Sequence, residues 1–236
     1  MHVKVCGMTR LEDAELAASL GAWGIGFILW PGSKRHVDPA VAAGIARVLR
    51  RQVELVGVFV NQPLDEIAGW VDTIGLTYVQ LHGDEGPSFC QAVTQRTGAK
   101  VIKAARIAHA ADLKDMDRFH TDLHLLDTPA KPGEYGGTGK TWDWNLLKQR
   151  RNKIPFLLAG GLNADNVAEA IATAHPWGID VASGVESAPG VKDPAKVEAL
   201  FAAVEGDTRP EDSVAGSSSP GGLVLPPQGG NERVGS

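Results

Sequence analysis

Eight times along this chain a short, β-rich apolar run gives way to a longer stretch with helical spacing, and that alternation constrains the fold most. The first four expected strand–helix pairs are His2–Cys6 with Leu11–Leu20, Trp23–Leu29 with Pro39–Arg50, Val53–Val60 with Leu64–Ile74, and Thr77–Leu81 with Pro87–Arg96. The second half continues with Lys100–Ala104 and His109–Asp117, then Leu123–Asp127 and Trp142–Arg150. Pro155–Ala159 with Ala164–Ala174 and Ile179–Ser183 with Pro194–Val204 complete the series. Strands joined by helical crossovers run parallel, and eight such units close into a (β/α)₈ barrel. An open doubly wound sheet shares the local pattern, but often carries G-x-G-x-x-G after its first strand. Here Cys6-Gly7-Met8-Thr9 stands at that place and the fingerprint is missing.

A barrel of this kind takes about 250 residues, so the 236 present are expected to form one catalytic domain over 1–205. Gly206–Ser236 is rich in Gly, Ser and Pro, with only Leu223-Val224-Leu225 to bury, and reads as a disordered, solvated tail. A formal net charge of −5 without a basic run argues against a nucleic-acid binder. No run approaches the roughly 18 apolar residues of a membrane span, and Met1–Gly7 lacks the apolar core of a signal peptide. The two cysteines, Cys6 and Cys90, form no CxxC pair, so neither a zinc site nor a disulfide framework is expected, and a reducing cytoplasm is the default.

Parallel barrels carry function at the carboxyl ends of their strands. That rule gathers Cys6, Arg35, Asn61, Gln80, His82, Asp127 and Asp180 onto one rim. Two glycine-bearing loops join them: Ala159-Gly160-Gly161-Leu162-Asn163 after strand seven and Ala182-Ser183-Gly184-Val185-Glu186 after strand eight. Loops at these places commonly cradle phosphate, because glycine lets backbone N–H groups approach an oxyanion and a helix N-terminus adds favourable charge. Tight turns alone would also use glycine. Gly136-Gly137-Thr138-Gly139-Lys140-Thr141 imitates a P-loop, but the full pattern needs glycine where Glu134 stands, so a loop over the active site explains it better.

Cys6 and Asp127 are the candidate base and acid. A thiol serves as a base when neighbours lower its pKa, and a carboxyl shielded from water stays protonated long enough to act as an acid. One base and one acid across a barrel mouth suit an isomerisation that moves a proton between adjacent carbons. The competing reading of Cys6 is a small buried apolar residue. Cys90 fits that reading and is assigned no role.

The segments VKVCGMTRLEDA, GFILWPGSKRHV, VGVFVNQ, VQLHGDE, LLDT, EYGGTGKTWDW, LLAGGLN, DVASGVES and PGVKD run in order from Val3 to Asp193. Together they closely resemble the phosphoribosylanthranilate isomerase family of tryptophan biosynthesis. The resemblance implies an Amadori rearrangement of N-(5′-phosphoribosyl)anthranilate, with no metal or organic cofactor. It assigns Asp127 as the acid that protonates the furanose ring oxygen and Cys6 as the base that removes the C2′ proton. Arg35 would hold the anthranilate carboxylate. Gly160, Gly161, Asn163, Ser183 and Gly184 would hold the phosphate, and Gln80, His82 and Asp180 would orient acid, base or substrate; a structural strand residue is the other reading of Asp180. Ala182 departs from the family pattern, in which a second serine is common. The related histidine-pathway isomerase performs the same rearrangement on a two-phosphate substrate, normally with an aspartate base where Cys6 stands. A non-catalytic, ligand-binding barrel is the remaining rival, but binding alone requires neither a base nor an acid. A monomer and a homodimer both remain open.

Overall fold

Strand β1 (His2–Cys6) shows how the sequence sorts its side chains. Successive residues of a strand face opposite ways, so Val3 and Val5 enter the layer between sheet and helices while Lys4 and Cys6 turn into the barrel. The computed structural model describes residues 1–128 and 143–206. The Pro129–Thr141 loop and all but the first residue of the expected tail therefore lie outside the described residues.

The remaining strands are β2 (Gly24–Ile28), β3 (Glu54–Phe59), β4 (Tyr78–Leu81), β5 (Lys100–Arg106), β6 (Leu123–Asp127), β7 (Phe156–Leu158) and β8 (Gly178–Val181). All pair in parallel in sequence order, and β8 returns to β1 to close the barrel, with Lys4 level with Asp180. Around them lie α1 (Leu11–Ser19), α2 (Pro39–Leu49), α3 (Leu64–Ile74), α4 (Pro87–Thr97), α5 (Ala110–Asp115), α6 (Val167–Ala174) and α7 (Pro194–Gly206). Local chemistry sets several of these bounds. Asp38 caps α2 by accepting from the Ala40 N–H at 2.8 Å with Pro39 in the first turn, and Gly75 ends α3 in the left-handed conformation.

The apolar core has two parts. The larger joins outward strand residues such as Val5, Ile25, Phe27, Leu55 and Leu126 to the helices. The smaller fills the barrel interior with Val56, Tyr78, Ile102, Ala104, Leu123, Leu125, Leu157 and Ala159, against which Trp23 and Trp177 pack. Each large apolar side chain buried in this way stabilises the fold by about 1.5–3 kcal/mol. The same alternation that fills the interior carries Cys6, Gln80, Asp127 and Asp180 to its upper, carboxyl end.

Four expectations need correction. The sixth crossover carries a 3₁₀ helix, Trp144–Gln149, in place of the expected α-helix over Trp142–Arg150. Helix α6 starts at Val167, not Ala164, because side chains hold the preceding chain in a turn: Asn166 Oδ1 accepts from Asn163 N–H (2.9 Å) and Asn163 Oδ1 from Asp165 N–H (2.9 Å). Strand β8 stops at Val181, and the chain passes through a 3₁₀ turn (Ser183–Val185) into a hairpin of β9 (Glu186–Ala188) and β10 (Val191–Lys192). Gly206, expected to open the tail, closes α7.

Candidate active site

The cavity at the carboxyl end of the barrel is lined by Cys6, Arg35, Gln80, His82, Asp127, Asp180, Gly160, Gly161, Ser183 and Gly184, with Ile28, Trp30, Val58, Val60 and Leu162 among its apolar walls. Of the expected site residues, Asn163 and Asn61 are not brought to this wall. The Asn163 side chain is engaged in the turn before α6. Asn61 turns aside, its Nδ2 donating to Asp84 Oδ2 (3.3 Å) and its Oδ1 accepting from the Asp84 N–H (2.7 Å).

Cys6 ends β1 and is buried. Burial pushes its thiol up, and the charge of Asp180 adds to that. Lys4, by charge and by hydrogen bond, and Lys192 pull it down without cancelling the rise. Gly26 on the adjacent strand leaves the sulfur its room: a Cβ there would lie 2.7 Å from Sγ.

Asp127 ends β6. Its Oδ1 accepts from the N–H of Thr128 (2.7 Å) and from the Thr128 hydroxyl (3.1 Å). Its Oδ2 lies 3.5 Å from His82 Nε2. Burial alone would raise its pKa, but His82 and Thr128 outweigh burial and hold the carboxyl below the usual aspartate range. Gln80 Nε2 donates to His82 Nδ1 at 3.0 Å, which leaves the proton of a neutral imidazole on Nε2, facing Asp127. Gln80 Oε1 is buried with no partner among the described residues, an acceptor available to a substrate hydroxyl.

The two glycine loops meet each other. Gly160 and Gly161 both adopt positive φ, 96° and 66°, which glycine takes without the steric penalty of a side chain. A Cβ on Gly184 would run into the carbonyl of Leu162, so loop eight lies directly on loop seven. Gly184→Ala should therefore spread the two loops. We expect KM to rise about tenfold or more, equivalent to ~1.4 kcal/mol, with kcat changed far less. Steady-state kinetics of the folded variant checks this. Among the described residues no group of three or more His, Cys, Asp or Glu is placed to hold a metal ion.

The family model for N-(5′-phosphoribosyl)anthranilate isomerase matches residues 3–203. The chain belongs to the N-(5′-phosphoribosyl)anthranilate isomerase family. A relative of that name from Pelobacter propionicus is 44% identical over 213 residues, covering 90% of this chain and 99% of its own. The solved phosphoribosyl anthranilate isomerase of Thermus thermophilus superposes with a TM-score of 0.79 at 39% identity, over 87% of this chain and 99% of that one. A further solved isomerase, in complex with reduced 1-(o-carboxyphenylamino)-1-deoxyribulose 5-phosphate, gives a TM-score of 0.75 at 34% identity over 87% of this chain and 99% of its own.

Three charged residues of this isomerase-family barrel escaped the reading of its sequence. Glu186, on β9, accepts from Arg35 Nε (2.9 Å to each oxygen) and Arg35 Nη2 (2.8 Å), so the guanidinium is already held on one edge. Lys192, on β10, donates to Glu186 (3.0 Å), to the Cys6 carbonyl (2.6 Å) and to the Ala182 carbonyl (3.3 Å). Burial would raise the Glu186 carboxyl, but Arg35 and Lys192 outweigh it and bring the pKa down. Burial lowers the Lys192 ammonium despite Glu186. The hairpin thus ties loop eight, the end of β1 and Arg35 together. Lys4, fully buried beneath Cys6, pairs with Asp180 Oδ1 at 2.7 Å. The sign that could have revealed Lys4 is its position two residues before Cys6, on the same inward face. Glu186 and Lys192 stand within the resembling segments DVASGVES and PGVKD, but nothing in the sequence shows what they contact.

Proposed function

We infer that Cys6 and Asp127 are the general base and general acid of the family's reaction in this chain. That reaction is the Amadori rearrangement of N-(5′-phosphoribosyl)anthranilate to 1-(2-carboxyphenylamino)-1-deoxyribulose 5-phosphate, a step of tryptophan biosynthesis. The observation that carries the assignment is the order of elements around one cavity. Asp127 ends β6, the glycine loops follow β7 and β8, and Cys6 ends β1. A phosphate seated on the loops between β6 and β1 leaves the sugar between the carboxyl group and the thiol.

The protonated acid donates to the ring oxygen as the C1′–O bond breaks, and the nitrogen lone pair forms the Schiff base. Cys6 then takes the C2′ proton, and those electrons neutralise the iminium nitrogen to give an enolamine, which tautomerises to the ketone. Substrate brings both phosphate and carboxylate charge into the site. Added negative charge raises the proton affinity of a nearby carboxylate, so Asp127 gains in the complex the proton it lacks alone.

Arg35 reaches the cavity from beyond β2. A guanidinium has five N–H donors, and Glu186 occupies the Nε and Nη2 edge, leaving Nη1 to hold the anthranilate carboxylate. Arg35→Ala should raise KM about tenfold or more while kcat falls only a few-fold. Arg35→Lys should not restore affinity, because a point charge serves Glu186 and substrate poorly at once. An unchanged KM in both variants would remove Arg35 from the carboxylate.

Gly160, Gly161, Ser183 and Gly184 supply the phosphate cradle, with Asn163 shaping loop seven from outside the cavity. The chain takes a small phosphorylated substrate, works as a monomer or homodimer, and acts in the cytoplasm. Its two cysteines are unpaired, and among the described residues no helix is long and apolar enough to cross a membrane. The test is direct: N-(5′-phosphoribosyl)anthranilate generated in situ, its fluorescence followed with the purified chain. Rapid loss supports the reading. A folded chain that leaves the fluorescence unchanged but converts the two-phosphate histidine-pathway substrate overturns it.

A further inference from the structure

Lys4 presents a physical puzzle. Much of the barrel interior is filled by an apolar cluster that includes Val56, Tyr78, Ile102 and Leu157, yet position 4, on the inward face of β1, carries an ammonium with no solvent exposure. Such a charge is costly to bury unless paired, and Asp180 pairs with it at 2.7 Å. A buried ion pair is nevertheless a weak route to stability, since apolar residues of similar volume often do as well or better. Stability therefore does not explain why the charge is there.

Geometry does. Lys4 and Cys6 share the inward face of β1, two residues apart. Gly26 stands opposite Cys6 on β2. A Cβ on Gly26 would meet Cys6 Sγ at 2.7 Å and Lys4 Nζ at 3.1 Å, so both atoms border the same small gap that the glycine leaves. We propose that Lys4 is a positioning residue of the reaction: its ammonium, fixed by Asp180, stabilises the thiolate of Cys6 and so keeps it a usable base. This rests on the reading of Cys6 as the base.

The charges acting on the sulfur come from β1, β8 and β10, namely Lys4, Asp180 and Lys192. Lys192 has its donors on the Cys6 and Ala182 carbonyls and on Glu186. Lys4 Nζ borders the same gap as the sulfur, and its charge opposes the effect of burial. Asp180 works against the thiolate by its charge but holds the ammonium that favours it.

The test measures the thiol itself. In a Cys90→Ala background Cys6 is the one remaining cysteine, since the chain has two. Its ionisation is read from thiolate absorbance near 240 nm, with Cys6→Ala as the blank, for wild type, Lys4→Met and the charge-neutral pair Lys4→Met with Asp180→Asn. The pair keeps the test open if the single variant, with Asp180 unpartnered, does not fold. The expected result is a thiol pKa raised by about one unit or more, with kcat/KM at neutral pH about tenfold lower and KM little changed. For the paired variant, the result carried by the proposal is the rise in thiol pKa. A thiol that ionises at the wild-type pH in a folded variant overturns the proposal. A raised thiol pKa with an unaltered rate in Lys4→Met overturns it differently, by removing Cys6 from the reaction.

Discussion

Cys6→Ala should lower kcat by about 10³-fold while KM stays within a few-fold of wild type, in the range that a positioned general base contributes. The expectation follows from where the sulfur lies. It borders the cavity at the end of β1, against Gly26, while Arg35 and the glycine loops that bind the substrate's charged ends belong to other elements. Removing the sulfur therefore leaves both anion contacts in place and takes away only the acceptor for the C2′ proton. The Lys192 contact to residue 6 is made to its backbone carbonyl, so alanine preserves it. Cys6→Ser should be nearly as inactive, because a hydroxyl ionises far less readily than a thiol. Loss of substrate fluorescence measures kcat and KM, and circular dichroism confirms the fold. A folded Cys6→Ala enzyme retaining a tenth of wild-type kcat would exclude the sulfur as the base. Full affinity without turnover would separate catalysis from mere binding.

Strand alternation made much of this site legible in the sequence. Once β1, β4, β6 and β8 are placed, period two sends Cys6, Gln80, Asp127 and Asp180 inward at the ends that parallel barrels use. Gly160 and Gly161 after β7 and Gly184 after β8 were legible for the same reason. What stayed hidden depends on contacts between residues far apart in the chain. Arg35 reads as a free anion holder until Glu186, 151 positions later, is found against it. Glu186 and Lys192 sit on strands of three and two residues, too short to show a period, and they are buried only because the hairpin folds back onto β1 and loop eight. Burial of Asp127 can be inferred from its strand position, whereas the partners of its carboxylate, Thr128 and His82, cannot. Lys4 was within reach of the argument, since it shares the Cys6 face.

Asp127→Asn should cost about 10²–10⁴-fold in kcat and change the form of the pH profile. In the free site the carboxyl titrates below its ordinary range and the thiol above its own. The reactive form needs the opposite pattern, a protonated Asp127 beside an ionised Cys6. For wild type, kcat/KM should therefore rise with pH up to the pKa of the Asp127 carboxyl and stay level. It should then fall above the thiol's pKa, because the thiolate no longer increases while the protonated carboxyl keeps declining. With asparagine the acid is gone. Residual kcat/KM should climb until the thiol ionises and then level, without the alkaline fall. Asparagine can still accept from Thr128 through Oδ1, so the end of β6 keeps its local bonds. Its amide, however, would face the Nε2 proton of His82. Relief requires the imidazole to move its proton to Nδ1 and the Gln80 amide to turn its oxygen toward it, an exchange that Oε1, now unpartnered, permits. The imidazole tautomer, read by nitrogen chemical shifts of His82, should therefore switch between wild type and variant. A folded Asp127→Asn enzyme with near-normal kcat and the wild-type alkaline fall would place the acid elsewhere in the cavity.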